Sequence, residues 1–188
     1  MSAKVMQMPP EPTNLDYFLQ CLEYDQQTGA LTWLRRPREH FATDQAWKNF
    51  NTRFAGVGAG SPNSDGYVQV KISGRLHKAH RLAWLITHRE WPSGQIDHIN
   101  HSRSDNRLDN LRVVTNQQNT YNQKKRKTNA SGFTGVGWHK HICKWQAQIQ
   151  ADGKKVCLGY FQNIEDAVLA RKAAEGKLGY HPNHGQTA

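Results

Sequence analysis

The chain has 188 residues, enough for one ordinary domain or two small ones. It carries 25 Lys/Arg against 15 Asp/Glu, a formal net charge of +10 and a pI near 9.7, which points to a polyanionic partner. No apolar run approaches the roughly 18 residues that span a bilayer, and the first 13 residues hold three prolines and no signal-peptide core, so an intracellular protein is expected.

Residues 1–13 read as a flexible leader, and 14–59 as an accessory region. Leu15, Phe18, Leu19 and Leu22 recur at helical spacing and predict a short amphipathic helix. Asp25–Gly29 is a polar turn, and Ala30–Leu34 has the character of a strand. Residues 35–66 are rich in charge, Gly and Asn and are expected to be loop-like. Tyr67–Ile72 alternates as a strand after Asp65-Gly66. Ser73-Gly74 turns it toward a second strand around Leu76–Ala79. His80–Thr87 is a predicted buried helix.

A core from 60 to 123 continues with two short strand-like runs, Ile96–Ile99 and Leu111–Val114, around a polar loop. Thr115-Asn116-Gln117-Gln118 fits a capping box, with Thr at the N-cap and Gln at N3. A helix from about Asn116 to Lys124 follows, with Asn119 in its first turns. The succession is strand, strand, helix.

Charge is concentrated beyond this point. Residues 124–188 hold eleven Lys/Arg against four Asp/Glu, a net of +7. Residues 124–131 form a basic linker, either solvated or laid along phosphates. Strands are predicted at Gly135–His139, Trp145–Gln150 and Lys154–Tyr160, with turns at His141–Lys144 and Asp152-Gly153. Asn163 is placed to cap a helix reaching Lys177, with Ile164, Ala167, Val168, Ala170 and Ala174 facing inward. That is a βββα unit over residues 132–179, followed by a tail, 180–188. Trp145 and Phe161 are expected between sheet and helix; Trp138 suits either the core or the surface.

The chemistry sits in the first core. Asp97 and Asn119 are hard oxygen donors suited to Mg²⁺ or Mn²⁺. His98, with an ordinary pKa near 6.5, is mostly neutral at pH 7 and suits a general base. Asn110 can fix its tautomer by a hydrogen bond. Each residue alone has a bland explanation as a turn, cap or strand-end group. The three cysteines, Cys21, Cys143 and Cys157, show neither CxxC spacing nor a disulfide framework.

Residues 80–122, HRLAWLITHREWPSGQIDHINHSRSDNRLDNLRVVTNQQNTYN, resemble the HNH endonucleases of the phage and homing type, with a ββα-metal core. YDQQTGALTW and SDGYVQVKISGRLHKAHRLAW are similar to the N-terminal part of such proteins. The resemblance implies His98 as general base, Asn110 as the residue orienting it, and Asp97 and Asn119 as ligands of a divalent metal. It implies cleavage leaving 3′-hydroxyl and 5′-phosphate ends. His80 precedes the core and is read as structural. Two positions depart from the pattern. The third letter of HNH is Asn119, and His101 stands where relatives carry glycine. A left-handed turn there costs histidine more than glycine.

The C-terminal unit resembles the AP2/ERF DNA-binding domain, through Ser131–Val136, Lys144–Ile149, Leu158–Phe161 and the Ala-rich helix. The resemblance places its sheet in the major groove. Alternation gives a DNA-facing set of Thr134, Gly137, His139, Gln148, Gln150 and Lys155. Gln can read adenine, while Lys140, Lys144 and Lys154 can bind phosphate.

The expected protein is thus α+β: a ββα-metal HNH nuclease core followed by a small βββα AP2-like domain. Its expected activity is metal-dependent hydrolysis of duplex DNA, of the homing or mobile-element type. One site per chain nicks one strand, so a double-strand break needs a homodimer or sequential nicking by a monomer. The alternative is a non-catalytic AP2-type DNA-binding regulator with a decayed nuclease core.

Overall fold

The computed structural model describes residues 15–115, 118–119, 121–122, 125, 129–151 and 153–185. The leader at 1–13, most of the basic run at 124–127, and Asp152 of the predicted hairpin lie outside the described residues. Two compact units emerge: residues up to 98 together with 102–113, and residues 99–101 together with those from 114 onward.

In the first unit the predicted amphipathic helix forms as α1 (Leu15–Cys21), burying Tyr17, Phe18 and Cys21. The chain continues as a hairpin of β1 (Leu22–Tyr24) and β2 (Leu31–Trp33). Asp25 shapes its turn: the carboxylate accepts from the Gln27 amide at 2.8 Å and the Thr28 hydroxyl at 2.7 Å. Residues 35–66 depart from the loop expectation. They contain a 3₁₀ turn (Arg38–His40), α2 (Asp44–Phe54) and β3 (Ser61–Pro62). Thr43 caps α2, its hydroxyl accepting from the Ala46 amide at 3.1 Å. The helix is held by Phe50 against Trp33 and by Asn51, which exchanges two hydrogen bonds with the Arg36 backbone.

β3, β4 (Val68–Ile72) and β5 (Arg75–Lys78) make an antiparallel sheet in that order. α3 (Ala79–His88) follows directly and buries Leu82 and Leu85 with Phe18, Leu22, Val70 and Ile72. Each such side chain contributes about 1.5–3 kcal/mol through burial. The opposite side of α3 presents Ala83 to Ile96 and Leu111. Those two belong to β6 (Gln95–His98) and β7 (Leu111–Val114), a two-stranded sheet.

In the second unit the capping box is present. Thr115 and Gln118 exchange bonds, amide to side chain in both directions, at 3.0 and 3.2 Å. Gln118 and Asn119 are helical; residues 116–117, 120 and 123–124 of the predicted helix lie outside the described residues. His101 does adopt the left-handed conformation, φ 65°. Its buried ring compensates by an Nε2 contact with Asn122 Oδ1 at 2.9 Å.

β8 (Val136–His139), β9 (Lys144–Ala151) and β10 (Lys154–Phe161) form an antiparallel sheet with β9 central. α4 (Ile164–Lys177) packs Ala167 on Val136 and Ala147, with Trp145 and Phe161 alongside as expected. Asn163 occupies the N-cap of α4, but its side chain makes no capping bond. Trp138 is half exposed, edge-on to Trp145. Arg171 is buried behind the sheet, bonded to the Gln148 carbonyl, to Glu175 and to His184. Gly135 is required beside it. At φ 77° a Cβ would stand 2.5 Å from the Gln148 carbonyl oxygen. The expected tail is structured as far as 185, since Tyr180 donates to the Gln150 carbonyl at 2.7 Å.

Candidate active site

Packing decides which way the site residues point. Ile96 and Leu111 face α3, so strand alternation sends Asp97 and Arg112 to the other face of β6 and β7. There Arg112 donates through Nε and Nη2 to one carboxylate oxygen, Asp97 Oδ2, at 3.0 and 2.8 Å. Asp97 is nine-tenths buried, so these charge-assisted bonds hold it in one orientation. Arg112 was not among the sequence candidates. The same alternation that turns Asp97 to this face was the signal for it.

His98 ends β6 and is buried. Its Nε2 lies 3.3 Å from Asn106 Oδ1. The Asn106 amide is oriented by its own Nδ2, which donates to the Ser104 carbonyl at 3.3 Å. The oxygen therefore faces the ring and accepts, placing the proton on Nε2 and the lone pair on Nδ1. Burial holds the His98 pKa below its ordinary 6.5, opposed by the Asn106 bond and by Asp97 and Asp105. Burial thus favours the neutral form of the ring. His80 stands edge-on to it, with ring centroids 5.0 Å apart. Burial, with His98 next in effect, pushes the His80 pKa down to about 3.

The loop between β6 and β7 is braced from the N-terminal hairpin. Tyr24 donates its hydroxyl to the Asn106 carbonyl at 2.7 Å, and the Leu108 amide donates to the Gln26 carbonyl at 3.2 Å. Asn110 closes the loop within a 3₁₀ turn (Leu108–Asn110) just before β7, donating to the Asp105 carbonyl at 2.8 Å. The first unit therefore gathers Asp97, His98 and Asn110 around one loop. Asn106, which was not among the sequence candidates, contacts the histidine. Asn119 belongs to the second unit, where its amide donates to the Thr115 carbonyl at 2.9 Å.

Among the described residues no group of three or more His, Cys, Asp or Glu side chains is placed to hold a metal ion. The hard oxygen donor that the first unit places next to His98 is the Asp97 carboxylate. That suits a hard cation which keeps water and phosphate oxygens in its shell, as Mg²⁺ does.

In the second unit the register gives the face of the sheet turned away from α4. His139 pairs with Lys144, Gln148 with Cys157, and Gln150 with Lys155. Gln146 and Tyr160 share that face and touch, Nε2 to hydroxyl, at 3.3 Å. A bulge between Cys157 and Gly159 brings Tyr160 there. Thr134 precedes β8 with its hydroxyl buried against Gly185, off this face. Lys140 follows β8 at the turn into β9, and Lys154 begins β10 in the row of Val156.

Residues 77–121 match the family model of the HNH endonucleases, a span that contains Asp97, His98, Asn110 and Asn119. Protein 3.8 of Escherichia phage T7 is 34% identical over 79 residues, which are 42% of this chain and 65% of that protein. The alignment thus spans just under two thirds of its relative's length. A solved structure described as DNA binding and cleavage by the HNH homing endonuclease I-HmuI aligns over 89% of this chain and 86% of that one. The alignment has 19% identity and a TM-score of 0.41. Residues 77–121, and with them the four candidate residues, are thus similar to the HNH endonuclease family.

Proposed function

We propose that the protein is a metal-dependent DNA endonuclease of the homing or mobile-element type, with His98 as general base. The observation that supports it most is the contact of the buried His98 Nε2 with Asn106 Oδ1, beside a buried carboxylate. His98 Nδ1 takes a proton from the attacking water as that oxygen bonds to phosphorus. The bond from phosphorus to the 3′ oxygen breaks, and the departing alkoxide gains a proton from solvent. The products carry a 5′-phosphate and a 3′-hydroxyl. Asp97 and the Asn119 amide oxygen would hold Mg²⁺ or Mn²⁺. Bound there, the cation supplies neutralisation of charge on the phosphate and leaving oxygen. Asn110 supports the base by holding the loop that carries Asn106.

The βββα unit serves, in this reading, as an AP2-like anchor on duplex DNA. His139, Gln148, Gln150 and Lys155 would face the groove, with Lys140, Lys144 and Lys154 near phosphates. Tethering raises the nuclease's effective concentration at its site without new contacts at the cut.

The test is supercoiled plasmid incubated with wild type, Asp97→Ala and His98→Ala, in Mg²⁺ and in EDTA. Nicked or linear product that needs the metal and both residues supports the proposal. Plasmid bound but intact in both Mg²⁺ and Mn²⁺ turns it to the non-catalytic regulator.

A further inference from the structure

A second positively charged feature lies beside His98, and the catalytic proposal does not use it. The half-buried ring of Tyr67 has its centroid 5.9 Å from that of His98. Over the same ring stand two cations from different elements. Lys78 Nζ, at the end of β5, is 4.5 Å from the centroid, and Arg103 Cζ, in the loop between β6 and β7, is 4.8 Å away. Both side chains are exposed. Arg103 is steadied by a 2.8 Å bond to the Asp65 carbonyl, which leaves its charge uncompensated. Among the described residues neither cation has a carboxylate within ion-pair distance. Two like charges contact one aromatic ring, and the ring offsets only part of their repulsion.

The start of α3 adds to the same field. Lys78 is its N-cap and makes no capping bond, and the first turn has no acidic residue. A lysine at the positive end of a helix has the wrong sign for the macrodipole. In that first turn His80 is buried to 4% exposure, and its Nδ1 has no hydrogen-bond partner among the described residues. Local sequence preference here opposes the fold unless an anion completes the site. A backbone phosphate beside the base is the ligand whose charge and oxygens match.

We propose that Tyr67, Lys78 and Arg103 form a clamp for a DNA backbone phosphate next to His98, with Tyr67 the ring that sets the spacing of the two cations. The clamp rests on the endonuclease reading for its position beside the scissile bond, while its contact with DNA is measured separately.

The full chain is tested with duplex DNA for binding and supercoiled plasmid for cleavage, as wild type, Lys78→Ala, Arg103→Ala, the double variant, Tyr67→Phe and Tyr67→Leu. The salt dependence of binding should lose about one unit of slope per cation removed. Cleavage kcat/KM should fall about tenfold for each cation. Tyr67→Phe keeps the ring and should behave as wild type, whereas Tyr67→Leu should approach the double variant. If Tyr67→Leu does not fold, the two exposed cation variants decide. Wild-type slope and kcat/KM in the double variant overturn the clamp. A wild type that does not cut, but whose binding slope still falls in the double variant, overturns the nuclease reading and leaves the phosphate contact standing. A slope unchanged in a protein that does not cut overturns both.

Discussion

His98 Nε2 and Asn106 Oδ1 are 3.3 Å apart, and the amide that supplies the oxygen is itself tied to the Ser104 carbonyl. One side chain eight residues away thereby selects which nitrogen of the histidine is basic. Asn106→Ala should lower the rate of the cleavage step by about 10²-fold, the smaller end of what a well-placed acid or base contributes. Duplex binding should stay at the wild-type value. Asn106→Asp keeps an acceptor and should retain more activity than alanine. Single-turnover cleavage and gel-shift titrations on the three proteins check this; equal rates for alanine and wild type would remove Asn106 from the site.

Gly29 is the point at which the N-terminal hairpin meets the loop between β6 and β7. Its φ is 74°, and a Cβ would lie 2.5 Å from the Arg107 nitrogen and 2.6 Å from the Asn106 carbonyl carbon. Gly29→Ala should cost about 1–2 kcal/mol from the left-handed conformation alone. The clash should also push the loop away from His98. The expected outcome is a lower melting temperature together with a lower kcat and an unchanged affinity for DNA. A kcat equal to that of wild type would mean that the loop is not braced from the hairpin.

Some of this was legible because local chemistry and fold agree. Asp97-His98 between two apolar runs, the Thr115–Gln118 capping box and the alternating strands of the second unit each follow from one short-range rule. α2 was not legible. Its inward residues, Trp47, Phe50 and Phe54, are interleaved with Asp, Lys and Asn, and its one fully buried residue is Asn51, which packs by hydrogen bonding to Arg36. Periodicity of hydrophobicity cannot register a polar anchor. The roles of Asn106 and Arg112 depend on contacts made only once strands and loop are in place. Tyr160 reaches the outer face through a bulge that no alternation rule anticipates.

Arg112 grips the carboxylate proposed to hold the metal, which makes it an orienting partner. Arg112→Met should weaken Mn²⁺ binding to the free protein by about 10- to 100-fold, the usual cost of losing such support. Calorimetric titration reads this without relying on activity. Tighter binding in the variant would mean that the guanidinium competes with the cation for Asp97.

Lys155 stands opposite Gln150 on the outer face of the second sheet, and Lys154 begins the same strand. Replacing both with alanine should weaken duplex binding and flatten its salt slope by about one to two units. Plasmid cleavage at saturating enzyme should survive, because the base and the proposed ligands lie in other elements. Binding unchanged at every salt concentration would place the DNA on another face of this unit.

Buried histidines set the response of the fold to acid. His80 is held neutral, its pKa down to about 3 in the folded chain against about 6.5 when unfolded. Above pH 6.5 both states leave it unprotonated, and stability does not depend on it. Below 6.5 the unfolded chain binds the proton and the folded chain does not, so stability falls steadily toward pH 3. Between pH 6.5 and 5 this one group should remove on the order of 2 kcal/mol. His184, pushed down to about 4 chiefly by burial, acts with the same sign in the second unit. Urea unfolding at pH 7.5 and pH 5.0 should show the loss. Histidine NMR spectra at pH 5.0 should show both rings still neutral, and rings protonated in the folded protein at that pH would refute the assignment.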